Sequence, residues 1–191
     1  MAAVPLAIEA VVTTPEGEVV VRGQSSVATT TGHIQQITLS PSAPPACPEA
    51  VAAVGEADWV ILGPGSWFTS VMPHLLVPDL AAALHSTAAQ RCVTLNLSPE
   101  TGETRGMSAT EHLASLHAHA PHLRVDAVVA DPRAVEDIEP LFDEAAKMGA
   151  RVVLRQVSVG DGTPAHDPIR LAAAYRDVFD GHLGDVGLPQ D

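Results

Sequence analysis

Aromatic side chains are scarce in this chain, at 3% of 191 residues, and cysteine occurs only at Cys47 and Cys92. The two thiols lie far apart without metal-type spacing, and such sparse usage fits a reducing, cytoplasmic compartment. Apolar runs fall well short of the ~20 residues that span a bilayer. Met1-Ala2-Ala3-Val4-Pro5-Leu6 has no positive leader segment, so no secretory signal is expected. Basic residues are in the minority, 10 against 23 acidic, for a formal net charge of −13. No basic cluster offsets that balance, which argues against duplex DNA, other nucleic acid or an anionic membrane as partner. None of the nine histidines combines with cysteines or carboxylates into a metal site. No strained Gly-x-Ser-x-Gly elbow and no ordered Ser, Asp and His set is legible, so no nucleophile is assigned. A binding protein is the more economical reading.

What is present is an alternation of apolar strands and amphipathic helices. Strands are expected at Trp59–Leu62, Cys92–Leu97, Val125–Ala130 and Val152–Val157, and helices at Pro78–Ser86, Ala109–Ala120, Val135–Met148 and Pro168–Phe179. Ser108 with Glu111 forms a capping box, Asp167-Pro168 a cap followed by proline, and Gly149 a helix stop. This pattern predicts an α/β fold with a mostly parallel, Rossmann-like sheet and helices on both faces. Ahead of it, Leu6–Val12 and Val19–Arg22 flank a hairpin loop at 14–18, and His33–Leu39 is a third strand. The prolines at 41, 44, 45 and 48 form a connector, and Pro48 opens a helix through Glu56. Length favours one domain, residues 1–180, with a disordered tail at 181–191.

The segment Trp59-Val60-Ile61-Leu62-Gly63-Pro64-Gly65-Ser66-Trp67-Phe68-Thr69-Ser70 is the most informative in the chain. A buried strand ends in a Gly-Pro-Gly-Ser turn, with hydroxyls at Thr69 and Ser70. At the carboxyl end of such a strand, bare backbone N–H groups and a following helix can receive an anion. Two readings stand: a phosphate or sugar-phosphate cradle, or a tight turn with no ligand. A second element, Asn96 through Gly106, follows the next strand and emerges on the same edge. There Gly102-Glu103-Thr104 is turn-prone, and Glu103 either accepts from sugar hydroxyls or holds the loop by taking backbone N–H groups. A third element is Gly162-Thr163-Pro164-Ala165-His166-Asp167-Pro168. His112 is expected to be a neutral scaffold, and His117 and His119 to be solvated.

Gly63-Pro64-Gly65-Ser66-x-x-Thr69-Ser70, Pro73-x-Leu75-Leu76-Val77-Pro78, Asn96-Leu97, Gly102-Glu103-Thr104-x-Gly106 and Ser108-Ala109-x-x-His112 together resemble the YvcK family of gluconeogenesis factors. That family lies within the CofD-like superfamily, whose namesake is a phospholactate transferase of coenzyme F420 synthesis. The resemblance runs from about Ile8 to about Val178 and covers only the C-terminal part of the family. The family's opening Gly-Gly-Gly-Thr-Gly loop has no counterpart here. The expectation is therefore a fragment or displaced start site, with exposed sheet edge, a tendency to form a homo-oligomer, and a weakened nucleotide half-site.

The resemblance implies a UDP-sugar ligand, of the UDP-N-acetylglucosamine type, and a regulatory role in gluconeogenic growth, cell-wall synthesis and cell shape. No cofactor beyond that ligand is implied. The implied ligand-binding residues are Gly63, Pro64, Gly65, Ser66, Thr69, Ser70, Asn96, Gly102, Glu103, Thr104 and His166. The alternatives are a phospholactate-type transferase, whose members read Gly-Pro-Ser-Asn at the glycine turn, and a ligand-free interaction module. Departures from the family pattern are Trp67-Phe68 for Leu-Tyr, Thr101 for proline, Arg105 for aspartate, and Ala165 for a basic residue that grips the nucleotide sugar. Arg155 and Arg170 are candidate substitutes for that lost cation.

Overall fold

The computed structural model describes residues 1–97 and 102–181. Within them, β1 (Ala7–Thr14) and β2 (Gly17–Arg22) form the expected hairpin, with Thr14 opposite Gly17. β3 (His33–Ser40) pairs antiparallel with the other edge of β1, giving a three-stranded sheet of order β2-β1-β3. Between β2 and β3 lies a short helix that the sequence pattern did not reveal, α1 (Gln24–Ala28). α1 buries a single residue, Val27, and five residues are too few to display a helical period. The connector leads into α2 (Pro48–Glu56), with proline in its first turn as expected.

The second sheet is wholly parallel: β4 (Trp59–Leu62), β5 (Gln90–Thr94), β6 (Ala127–Ala130) and β7 (Arg151–Leu154), in sequential order. The crossover helices are α3 (Pro78–Ser86), α4 (Ala109–His119) and α5 (Ile138–Met148), and α6 (Pro168–Phe179) follows β7. Right-handed crossovers between sequentially ordered strands place their helices on one face. The core agrees: Val93, Val128 and Val152 share one apolar cluster with Leu84, Leu113, Leu116 and Leu141. The small sheet contributes Ile8, Val12 and Ile37 to that same cluster. Residues one step along the strands, Cys92, Ala127, Val129 and Val153, point the other way and pack on Ala174 and Val178 of α6. Thr94 Oγ1 lies 2.8 Å from the Tyr175 hydroxyl across that layer.

Caps set several boundaries. Ser108 and Glu111 exchange both bonds of the capping box, Asp167 accepts from the N–H groups of Ile169 and Arg170, and Gly149 ends α5 at φ 84°. Three strands are shorter than their apolar runs suggested. β5 ends at Thr94 because Asn96 turns away to bond Gly65. β6 starts at Ala127, not Val125, whose N–H donates instead to the Met148 carbonyl at the end of α5. β7 ends at Leu154 rather than Val157, because the N–H groups of Val157 and Ser158 are taken by Asp131. Likewise α5 starts at Ile138, not Val135. Of the expected tail at 181–191, residues 182–191 lie outside the described residues, as does Thr101.

Candidate functional site

The loops leaving β4 and β5 are locked to one another at the carboxyl edge of the parallel sheet. Gly63 sits at φ 82°, and a Cβ there would stand 2.6 Å from the Thr94 carbonyl oxygen, so the two strand exits approach as closely as only glycine allows. Asn96 clamps the turn from the side: the Gly65 N–H donates to Asn96 Oδ1 (3.0 Å), and Asn96 Nδ2 donates to the Gly65 carbonyl (2.9 Å). Past the turn, the chain forms one π-helical turn (Trp67–Val71) and one 3-10 turn (Met72–Leu76), not a long helix. Trp67 and Phe68 are fully buried, with Trp67 Nε1 donating to Ser115 Oγ, so both rings belong to the core, and of the two only Trp67 also borders the cleft.

Glu103 settles between its two sequence-based roles. It lies in a short 3-10 turn (Gly102–Thr104), is 6% exposed, and its Oε1 accepts the Phe68 N–H at 2.8 Å. It therefore holds the preceding loop. Burial raises the Glu103 carboxyl above its ordinary range; the Phe68 N–H and nearby polar groups of Thr69 and Trp67 oppose that rise without cancelling it. Its Oε2 is buried without a hydrogen-bond partner among the described residues.

A second buried carboxylate orders the exits of β6 and β7. Asp131, 2% exposed, accepts from the N–H groups of Val157 and Ser158 on Oδ2 and of Arg133 on Oδ1, each at 2.9 Å. Burial pushes this carboxyl up, but the hydrogen bonds from Arg133, Ser158 and Val157 outweigh it and hold it below the ordinary value. Asp131 was not singled out from sequence, although an Asp-Pro directly after a strand's apolar run is a turn signature that would have found it.

These loops enclose a polar cleft of about 680 Å³. Eight of the eleven residues chosen from sequence meet there: Pro64, Gly65 and Ser66 from the β4 exit; Asn96; Gly102, Glu103 and Thr104; and His166 ahead of α6. Gly63, Thr69 and Ser70 do not line it. Gly63 and Ser70 face a separate apolar cavity of about 260 Å³ beside β4, and Thr69 is 4% exposed. The π-helical turn carries Thr69 and Ser70 out of the cleft lining, and Thr69 instead supports Glu103 from behind. A further part of the lining comes from Ala28 at the end of α1 and from Thr29 and Thr31 beyond it, which sequence reading missed. The only hint was the polar Thr29-Thr30-Thr31 run, and nothing local ties it to loops seventy residues on.

Burial holds His166 below its ordinary value, against bonding to the Leu95 backbone and the charge of Asp131, and its Nε2 is buried and unpartnered among the described residues. Burial likewise lowers His112, whose Nδ1 lies 2.8 Å from the Ser108 carbonyl, in keeping with a neutral scaffold. His117 and His119 are not free in solvent: His117 pairs with Glu144 at 3.2 Å, and His119 Nδ1 lies 2.8 Å from the Ser115 carbonyl. The candidate substitute cations stand elsewhere. Arg155 pairs with Asp177, and Arg170 donates to the Ser158 carbonyl. Arg105, in contrast, lines the cleft. Among the described residues, no group of three His, Cys, Asp or Glu side chains could hold a metal ion, and no helix is long and apolar enough to cross a membrane.

Comparison with known proteins bears on this architecture. A Mycobacterium tuberculosis protein named "Putative gluconeogenesis factor" is 46% identical over 174 residues, covering 89% of this chain and 49% of the relative. A Nostoc protein of the same name is 34% identical over 177 residues, covering 84% of this chain and 39% of the relative. The Listeria innocua "Gluconeogenesis factor" is 29% identical over 166 residues, covering 81% and 52%. The chain thus spans about half or less of the length of these curated relatives. A Bacillus halodurans crystal structure of the UPF0052 family superposes with a TM-score of 0.77 at 23% identity, over 91% of this chain and 59% of that one, which establishes the shared fold. The family model described as 2-phospho-L-lactate transferase CofD matches residues 2–157. This chain belongs to the CofD family.

Proposed function

We propose that the cleft binds a nucleotide sugar of the UDP-N-acetylglucosamine type, and that the protein is a regulatory binder acting in gluconeogenic growth, cell-wall synthesis and cell shape. The observation that supports this most is the convergence of eight sequence-selected residues on one polar cleft at the carboxyl edge of a parallel sheet. That edge is where open α/β sheets receive ligands. The volume falls within the range of about 300–1,000 Å³ usual for small-molecule sites. The gluconeogenesis-factor names of the relatives favour the regulatory role.

The test is a titration of the isotopically labelled chain with UDP-N-acetylglucosamine, followed by amide chemical shifts. Saturable shifts at Gly65, Asn96, Thr104 and His166 are expected. Gly65→Val removes them, since Gly65 holds φ 148° and a branched side chain there both strains the turn and fills the approach. Shifts spread over the surface, or absent, would overturn the reading. The name of the matching family model favours a second reading, a phosphoryl-group transferase of the phospholactate type. Phosphorus NMR of the chain with a nucleotide-linked phospholactate donor and an alcohol acceptor separates the two: a new phosphodiester with release of the nucleoside monophosphate establishes the transferase, and ligand shifts without turnover establish the binder.

A further inference from the structure

We infer that the anionic group of the ligand is held not by the glycine turn but by the wall formed where the turn at 102–105 meets the segment after α1, with Arg105 the cationic grip and Thr31 a second donor. The inference deepens the nucleotide-sugar reading and rests on it. Two donors that a phosphate would use at the turn are already committed. The Gly65 N–H is bonded to Asn96 and the Phe68 N–H to Glu103. An anion-like group, the Glu103 carboxyl, thus already fills the place behind the turn, and a second anion there would meet it at close range.

Arg105 is differently placed. It is the one Lys or Arg among the residues lining the cleft, in a chain of net charge −13. Its backbone is fixed while its side chain is exposed: the Arg105 N–H donates to the Gly102 carbonyl, and Met107, buried behind the turn, donates to the Thr104 carbonyl. Gly102, at φ 64°, presses so close to the Ala28 carbonyl that a Cβ would lie 2.4 Å from it, which joins this turn to the segment carrying Thr31. Among the described residues Arg105 makes no salt bridge, so its planar fork is available for bidentate contact with phosphate oxygens. Thr29, although in the same segment, donates its hydroxyl to the Ser25 carbonyl, which leaves Thr31 as the hydroxyl donor that this segment offers the cleft. Aspartate at position 105, the residue the YvcK resemblance leads one to expect, would supply no such grip.

The experiment titrates the wild-type chain, Arg105→Gln, Arg105→Lys and Thr31→Val with UDP-N-acetylglucosamine and with inorganic diphosphate. Arg22→Gln serves as a control, because Arg22 is exposed on β2 and paired only with Glu9. Arg105→Gln is expected to weaken both ligands about tenfold or more, in line with loss of a charge-assisted pair. Arg105→Lys should recover part of that loss, Thr31→Val should cost a few-fold, and Arg22→Gln should change nothing. Arg105 is exposed, so an unchanged melting temperature will accompany the loss. If the wild type binds diphosphate through Arg105 but ignores UDP-N-acetylglucosamine, the inference stands and the nucleotide-sugar reading falls. If UDP-N-acetylglucosamine binds equally to wild type and Arg105→Gln, the inference is overturned and the reading stands. Binding of neither probe overturns both.

Discussion

The carboxyl edge of the parallel sheet uses one device twice, and the two copies differ in one respect. On one side, Glu103 after β5 reaches back to a loop that leaves β4; on the other, Asp131 after β6 reaches forward to the segment that leaves β7. Both are nearly inaccessible carboxyls that tie adjacent strand exits together. Asp131 collects three backbone N–H groups and is held below its ordinary pKa, whereas Glu103 collects one at good geometry and is raised. Burial acts on both in the same direction and hydrogen bonds oppose it on both; at Asp131 the bonds outweigh burial, and at Glu103 they do not. The Asp131 side is therefore a finished structural joint. The Glu103 side is a joint in which burial outweighs the bonding, and it is the one that holds the segment following the glycine turn.

The contrast predicts unequal consequences of breaking each side. Asp131→Ala strands three buried donors at once and should cost about 3 kcal/mol, since an unmet buried N–H costs about 1–3 kcal/mol and water entry recovers part of the total. Urea unfolding measures it; a loss below about 1 kcal/mol would show that the β7 exit does not depend on Asp131. Gly102→Ala comes next. An alanine must adopt φ 64° and its Cβ must displace the Ala28 carbonyl. The left-handed conformation alone costs about 1–2 kcal/mol, and moving backbone adds to it, for about 2 kcal/mol in all. The same variant should disturb the Glu103–Phe68 bond while leaving the amide shifts of Val157 and Ser158 in place, which tests whether the two joints are independent.

Much of this was legible in the sequence, for identifiable reasons. β4, α3 and α6 match their expected bounds because turn glycine, helix-opening prolines and the Asp167 cap punctuate them. Most of the chosen cleft lining was legible because Pro64, Gly65 and Ser66 are contiguous, and Gly102, Glu103 and Thr104 follow the very next strand. What was not legible depended on distance or rotation. Thr31 reaches the cleft only because Gly102 nestles against Ala28, a contact with no local signature. Ser70 was assigned to the cleft because it follows the turn, and only the π-helical turn at Trp67–Val71 shows that it points to the other cavity. The shortened β7 could not be foreseen from its apolar run, since the residue that ends it, Asp131, is on another strand's loop.

The smallest effect carries the sharpest test, because it is a difference of sign. Glu103 has a folded pKa above the ordinary carboxylate value of about 4.3. Between those two values the folded protein keeps a proton that the unfolded chain has lost, so this group's contribution to stability falls as pH rises through that window. Asp131 does the reverse. Its contribution is fully present above the unfolded value of about 3.9 and is lost as pH falls through the lowered folded value. Unfolding free energies of Glu103→Gln and Asp131→Asn, each subtracted from wild type between pH 3 and pH 7, should therefore slope in opposite directions. The wild type's advantage over Glu103→Gln should shrink as pH rises, and its advantage over Asp131→Asn should grow. Parallel slopes would mean that bonding outweighs burial at Glu103 just as it does at Asp131.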